Sequence, residues 1–316
     1  MILSRIDLRY ARRVQADSAR FRRVRSLVRR TWDRFGAERS VLANRHVAAK
    51  VLPLEPDKAY AVLTAPAPTT IADDGRPAPP PKLWKRWSLT LDAYIAGGRA
   101  EVDAMLGTLS EAGADTGELM RILDFGCAEG RILRFLDDSH RELWGVDVNA
   151  ARIAWAQQHL TPPLRLATTT TAPHLPFSDG YFDLVYAVSV FTHISELADA
   201  WFLELLRIVR PGGHVYLTIH DEHSVEVLLE RSRARGIHGE MVSLLDRFEA
   251  KTGTLGRGDW TYFAINADPG AQVFYRGDEL VRRWSMVADF RLRKLEASAY
   301  QTALVFRRRI PTSPHK

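Results

Sequence analysis

The chain has one cysteine in 316 residues, Cys127. That excludes a disulfide framework and any cysteine-based metal site, and it is the usage expected of a protein kept in a reducing cytoplasm. No apolar run approaches the ~20 residues needed to cross a bilayer. The opening MILSRIDLRYARR lacks the continuous apolar region of a secretion signal. The expected location is therefore inside the cell, at most peripheral to the inner membrane surface. Acidic residues are scarce at one end only. Residues 1–50 hold 14 Lys and Arg against 4 Asp and Glu, leaving 30 against 34 in the other 266, so the net charge of +6 belongs to the amino-terminal end. At 46% hydrophobic residues the chain can still bury a substantial core.

Between Ala16 and Phe35 the apolar residues Phe21, Val24, Leu27, Val28, Trp32 and Phe35 recur at spacings of three and four among arginines. This pattern predicts a basic amphipathic helix. Three uses compete: docking on protein, on the chain's own catalytic domain or a second subunit; contact with an anionic membrane; and, with no recognisable motif behind it, contact with nucleic acid. Residues 64–82, TAPAPTTIADDGRPAPPPK, are proline-rich and without apolar periodicity, the composition of a linker or strap. The expected organisation is an arm over 1–63, a linker over 64–82, a catalytic domain over 83–310 and a short tail over 311–316.

The most informative stretch is Arg121 to Asn149. It reads as an apolar strand (Arg121 to Phe125), a glycine turn (Gly126 to Gly130), a helix from about Arg131, and a second strand (Glu142 to Val148) that carries Asp147. In an open parallel sheet this places the turn and the Asp147 carboxylate together at the carboxyl ends of the strands, where such folds bind nucleotides. Asp147 can accept both hydroxyls of a ribose. A dinucleotide fingerprint would need G-x-G-x-x-G, but Ala128 and Arg131 stand at its second and third glycines. Asp124, at the end of the first strand, would repel a pyrophosphate and suits a ligand carrying an ammonium and a sulfonium.

On these residues, D-F-G-C-A-E-G, the chain resembles the class I S-adenosylmethionine-dependent methyltransferases, with Ala128 replacing a glycine. L-P-F-S-D-G-Y-F-D (175–183) and R-I-V-R-P-G-G-H-V-Y-L-T-I (207–219) are similar to two further family blocks, in the family's order. The resemblance covers roughly residues 120–220. It implies an α/β fold: a Rossmann-like seven-stranded sheet with helices on both faces and a closing antiparallel hairpin, here preceded by the basic helical arm. It implies S-adenosylmethionine as cofactor, with a binding set of Asp124, Phe125, Gly126, Cys127, Ala128, Gly130, Asp147, Val148, Thr171, Ala172 and Ala187. Thr171 stands where the family commonly has an acidic residue for the adenine amino group. Cys127 has no neighbouring base to activate it.

The rest of the chain supplies the expected sheet. A helix over Ala150 to Leu160 is opened by Asn149. Strands follow at Leu164 to Thr168, Phe182 to Val190 and His214 to His220, with a helix from Ser195 that the R-P-G-G segment terminates. Leu83 to Leu109 is helical in pattern, interrupted at Gly97-Gly98; its Trp84, Trp87, Leu91, Tyr94 and Ile95 either line a cleft or pack on the sheet. Residues 221–276 read as an insertion that roofs the site, with helix to Arg257 and strands at Thr261 to Ile265 and Gln272 to Tyr275. Asp278 caps a last helix before strands at Phe290 to Ala297 and Gln301 to Arg308.

A hydroxyl acceptor must lose a proton, and a histidine suits that at neutral pH. His220, at the end of the fifth strand, is the first candidate and His193, in S-V-F-T-H-I-S, the second. His220, Asp221 and His223 could instead hold a divalent metal, although no metal site is otherwise indicated. The resulting expectation is O-methylation of a sugar, glycan or small-metabolite hydroxyl. An RNA or lipid acceptor delivered by the arm, and a cofactor-binding scaffold without turnover, are the alternatives.

Overall fold

A computed structural model of the chain describes residues 69–84, 88, 90–137, 140–232, 239–258, 260–267 and 270–311. The basic segment 16–35, Trp87 and the first part of the proline-rich stretch lie outside the described residues.

The sheet is built from β1 (Arg121–Phe125), β2 (Glu142–Asp147), β3 (Arg165–Thr168), β4 (Phe182–Ala187), β5 (Val209–Ile219), β8 (Ala288–Ser298) and β9 (Gln301–Arg308). A separate antiparallel hairpin holds β6 (Tyr262–Ala267) and β7 (Gly270–Tyr275). The seven-stranded order is β3-β2-β1-β4-β5-β9-β8, with the first five strands parallel and β9 antiparallel to both neighbours. The strands β1 and β4 are near-continuous apolar runs because both faces are covered, as a central parallel strand requires. The chain order reverses between β1 and β4, so the crevice beyond their carboxyl ends is where a ligand belongs.

The helices are α1 (Pro81–Trp84), α2 (Leu91–Glu111), α3 (Ala150–Leu160), α4 (Ala198–Ile208), α5 (Glu222–Ser232), α6 (Gly239–Thr252), α7 (Thr254–Arg257) and α8 (Gly277–Trp284). The Asn149 side chain accepts from the Arg152 N–H and starts α3, as its position in the sequence implies. The main core gathers Met105 and Leu109 from α2, Ile122 from β1, Ile153 and Ala156 from α3, and Leu184 from β4. A second cluster of Val225, Leu228, Val242, Leu245, Phe263, Ile265 and Phe274 belongs to the insertion.

Several elements differ from the sequence reading. The helix expected from Arg131 is only a 3-10 turn, Leu133–Phe135. The eleven residues between Gly130 and Glu142 are too few for a full crossover helix, and Arg134 is drawn beneath the strap described below. The strand β4 stops at Ala187 because Ser189 takes a left-handed conformation, φ 58°, and gives its N–H to the Thr218 hydroxyl at 2.8 Å. The R-P-G-G segment does not separate helix from strand: α4 ends at Ile208 and β5 runs straight through it. The Arg308 guanidinium closes that helix end by donating to the carbonyls of Arg207 and Val209. Asp278 does not cap α8. It pairs with Arg293 at 2.8 Å, while Glu222 accepts the Gly277 N–H.

The glycine pair 97-98 does not interrupt α2. Gly98 is where the helix meets the segment after the cofactor turn: a Cβ there would lie 2.4 Å from the Arg131 carbonyl oxygen and 3.0 Å from the Phe135 ring. Nor is the proline-rich stretch a free linker over residues 69–82. Ala78 and Pro79 are buried, and the Trp84 indole donates to the Pro79 carbonyl. Asp74 receives the Arg134 fork through Nε at 2.6 Å and Nη2 at 2.8 Å. Arg76 donates to the Arg134 carbonyl and pairs with Asp137.

Candidate cofactor and active site

The residues from Asp124 to Gly130 turn the chain from β1 over the strand ends. Gly126 has φ 87°, and a Cβ on it would lie 2.3 Å from a Val190 methyl, so both backbone and packing demand glycine. Ala128 occupies the left-handed region at φ 51° without being glycine. Such a residue is strained by roughly 1–2 kcal/mol. Its N–H donates to Asp147 Oδ2 at 2.9 Å, and the Asn149 N–H to Oδ1 at 2.7 Å. Asp147 thus ties the turn to β2 while each oxygen keeps a lone pair for a ligand. Burial raises its pKa, and the two backbone donors oppose the rise.

Asp124 is 2% exposed and stands in register with Tyr186 of β4. Its pKa is pushed up to about 7, chiefly by burial and further by the Asp147 charge, against the Tyr186 hydroxyl and the Arg131 cation. So little compensation disfavours its charged form, which a cation brought beside it would restore. Ionised, it fits the ammonium of an amino-acid group. Glu129, in the same turn, is spoken for: Tyr94 of α2 donates to one oxygen and Arg152 of α3 to the other, the latter at 2.7 Å. This network clamps α2 across the turn and answers what the aromatic cluster does. Trp84, Tyr94 and Ile95 are buried in packing.

The other expected residues fall around this crevice. Phe125 is buried against Trp201, ring centroids 4.6 Å apart, and Ala187 is fully buried at the end of β4. Val148 is 44% exposed beyond β2, and Thr171 and Ala172 are exposed in the loop after β3. Cys127 is buried, and burial with the nearby carboxylates pushes its thiol well above its ordinary pKa, the opposite of a nucleophile's requirement.

The two histidines are placed very differently. His220 does not open into the cleft. It is 1% exposed, with Phe274 at 4.8 Å and stacked Tyr300 at 5.1 Å. The hairpin strand β7 runs alongside it, the Tyr275 N–H donating to the His220 carbonyl at 2.8 Å. Neither ring nitrogen has a partner of normal hydrogen-bond geometry; burial and the His193 charge lower its pKa to about 3, and the nearby Val273 backbone offsets little of this. In this conformation it is closed to an acceptor. His193 keeps an exposed edge although protein surrounds most of it, and desolvation lowers its pKa too. Its Nδ1 lies 2.7 Å from the Ala271 carbonyl of β7. A carbonyl only accepts, so Nδ1 carries the proton and Nε2 is left basic.

The suggested metal triad does not converge. Asp221 binds Arg293 and Ser224, and His223 lies 3.3 Å from Glu296. Among the described residues no group of three or more His, Cys, Asp or Glu is arranged to hold a metal. Nor is any helix among them long and apolar enough to cross a membrane. Nothing in the sequence around Glu129 and Arg131 signals their contacts with Tyr94 and Gly98, which exist only once α2 is packed.

Sheet order, closing hairpin and acid-bearing strand ends define a Rossmann-like methyltransferase fold of class I. Residues 123–217 match the family described as "Methyltransferase domain". That match and the sheet order make this part of the chain similar to the class I S-adenosylmethionine-dependent methyltransferases. The chain is 31% identical over 131 residues to malonyl-[acyl-carrier protein] O-methyltransferase of Geobacter sulfurreducens, covering 40% of this chain and 48% of that one. It is 28% identical to ubiquinone biosynthesis O-methyltransferase of Alkalilimnicola ehrlichii, covering 57% and 64%. Among solved structures, magnesium protoporphyrin IX methyltransferase from Synechocystis with bound S-adenosylhomocysteine aligns with TM-score 0.48 at 15% identity, covering 72% of this chain and 93% of that one. The chain spans about half the length of the malonyl-[acyl-carrier protein] enzymes it matches. The family's cofactor is S-adenosylmethionine, and the uncompensated Asp124 beside a ribose-competent Asp147 fits its ammonium and its diol.

Proposed function

We propose that the protein is an S-adenosylmethionine-dependent methyltransferase that methylates a hydroxyl of a small metabolite, sugar or glycan. The observation that carries this reading is the pair Asp124 and Asp147, at the carboxyl ends of the neighbouring strands β1 and β2, one suited to a cation and the other offering acceptors. The relatives named as O-methyltransferases support oxygen as the acceptor atom.

When bound, the cofactor supplies an already activated methyl group. The protein then has to orient the acceptor, exclude water and remove a proton. Asp124 would hold the ammonium, Asp147 the ribose hydroxyls, and the exposed loop carrying Thr171 and Ala172 would border the adenine beside Val148. His193 replaces His220 as the residue best placed to take the acceptor's proton: its Nε2 is free, its tautomer is set by Ala271, and its lowered pKa keeps it neutral at physiological pH. The hairpin β6–β7 holds His193 in place and covers His220.

Calorimetric titration with S-adenosylhomocysteine, beside an Asp147→Ala variant, tests the cofactor half. Micromolar binding that the variant weakens at least tenfold supports the reading, and absence of binding to the parent protein would overturn it. Turnover of a hydroxyl panel by wild type but not by His193→Gln tests the second half.

A further inference from the structure

Ser189 stands just past the end of β4, and it is held there more firmly than a loop serine needs to be. It keeps a left-handed backbone, φ 58°, which a side chain bears only at a cost and which persists where the surroundings over-determine it. Two buried side chains do so. The Ser189 N–H donates to Thr218 Oγ1 of β5 at 2.8 Å, and the Gln301 amide of β9 reaches across β5 to bring Nε2 within 2.8 Å of the Ser189 Oγ. Thr218 is 0% exposed and Gln301 9%, whereas Ser189 is only half-buried. The holders are sealed in, and the residue they hold keeps an open side.

Counting protons shows what is left over. Thr218 Oγ1 takes the Ser189 N–H, and its own proton goes to Gln301 Oε1, 2.6 Å away. That bond sets the amide with Oε1 toward Thr218 and Nε2 toward Ser189. Ser189 Oγ lies 2.8 Å from Nε2 and 3.1 Å from Oε1. The two amide atoms are a narrow angle apart as seen from the hydroxyl, so it cannot accept from one and donate to the other with good geometry. The shorter contact prevails, because Nε2 only donates and Oε1 is already supplied by Thr218. Ser189 is therefore an acceptor toward the amide, and its proton has no other taker among the described residues.

That proton is presented at the reacting end of the crevice. Val190, the next residue, packs on the cofactor turn: a Cβ on Gly126 would fall 2.3 Å from its methyl. The 3-10 turn Phe191–His193 follows and carries the histidine proposed above as base. One short loop thus joins the cofactor turn, the base and this unused donor. We infer that the Ser189 hydroxyl donates to a second oxygen of the methyl acceptor, adjacent to the hydroxyl that is methylated, with Gln301 and Thr218 as positioning residues that act through it. The acceptor class is then a hydroxyl with an oxygen neighbour: a diol, a hydroxy acid or a hydroxy ketone. An isolated hydroxyl on hydrocarbon would leave the donor unmet once water is excluded. This rests on the O-methylation reading above and narrows it.

The test uses the full chain as wild type, Ser189→Ala and Gln301→Glu. Gln301→Glu is nearly isosteric, but its carboxylate takes the Ser189 proton inward and leaves no free donor. Each protein is assayed at about pH 8, where that carboxylate is ionised. Two matched acceptor pairs are used, catechol against phenol and methyl glucopyranoside against its 2-deoxy analogue, and S-adenosylhomocysteine affinity is measured by calorimetry. Circular dichroism checks the fold, and Ser189→Ala carries the test alone should Gln301→Glu not fold. Wild type should favour the oxygen-bearing member of at least one pair by roughly 10- to 100-fold in kcat/KM. Both variants should bring that ratio within about threefold and keep S-adenosylhomocysteine affinity within about threefold of wild type. Equal losses on both members of a pair would make Ser189 a shaper of the loop only and overturn the inference. A wild type without preference would also overturn it while leaving O-methylation standing, and so would turnover of none of the four by protein that binds S-adenosylhomocysteine. Cofactor affinity falling in step with turnover would assign the hydroxyl to the cofactor instead. Preference lost in Ser189→Ala but kept in Gln301→Glu would strike the part given to Gln301. Wild type that bound no S-adenosylhomocysteine would overturn the cofactor reading beneath it.

Discussion

Asp124→Asn separates what this carboxylate does for stability from what it does for binding. In the folded, ligand-free protein its pKa is about 7, against 3.8 for an ordinary aspartate. A carboxylate whose folded pKa is raised binds protons more tightly folded than unfolded. Its destabilising effect is therefore absent below about pH 4, grows as pH rises to about 7, and is complete above that. The shift corresponds to about 4 kcal/mol. Asparagine removes the charge at nearly constant shape. Urea unfolding at about pH 8 should show Asp124→Asn more stable than wild type by up to about 4 kcal/mol, and at about pH 3.5, below the unfolded-state pKa, the two should coincide within about 0.5 kcal/mol. Binding should move the other way. An ammonium needs the ionised form, populated about 10% at pH 6 and about 90% at pH 8, so wild-type affinity for S-adenosylhomocysteine should rise about tenfold over that interval while the variant stays weak and flat. Affinity independent of pH in wild type, or a variant less stable at high pH, would refute the reasoning.

Four further outcomes follow from the geometry. His220→Phe should preserve the aromatic stack, remove two unpartnered buried nitrogens and stabilise the fold by about 1 kcal/mol in urea; retained turnover would agree with a His220 that takes no part in proton transfer. His193→Gln should lower kcat/KM by about 10²- to 10⁴-fold, and the wild-type profile should lose activity on the acid side through a pKa below 6.5, the direction desolvation dictates. Asp74→Ala leaves the 3% exposed Arg134 uncompensated and should cost about 3–5 kcal/mol, much of it recovered in Asp74→Ala with Arg134→Met. Ala128→Gly should be near neutral in urea, within about 0.5 kcal/mol, because relief of left-handed strain offsets the added freedom of the unfolded chain.

The seven-stranded sheet and the glycine turn after β1 were legible because they are written in local signals. An apolar run before D-F-G, an acidic residue at the end of the next strand and Asn149 as a cap each act within a few residues of themselves. What was hidden depends on contacts far apart in the chain. Nothing near His220 in the sequence says that β7 and Tyr300 will enclose it, so a strand-end residue expected to face the cleft is sealed. Gly97-Gly98 reads as a helix break until the Arg131 backbone is seen against it. Asp74 looks like linker composition until Arg134, sixty residues on, turns out to be its partner. Ala128 is the reverse case: the substitution was plain in the sequence, but only its φ of 51° shows that the turn keeps the glycine conformation without the glycine.

The insertion has its own apolar cluster, and the two cores meet at one stack of rings. Phe248, Phe263 and Phe274 lie face to face at 4.6 and 4.9 Å, and His220 and Tyr300 continue the series into the sheet. Substitutions within the roof that stay clear of this seam should combine additively with those in the cofactor half. Substitutions in α6 and β6 can thus be combined without touching Asp124 or Asp147, provided that the ring stack at His220 and the bonds from Ala271 to His193 and from Tyr275 to Phe191 and Ile194 are kept.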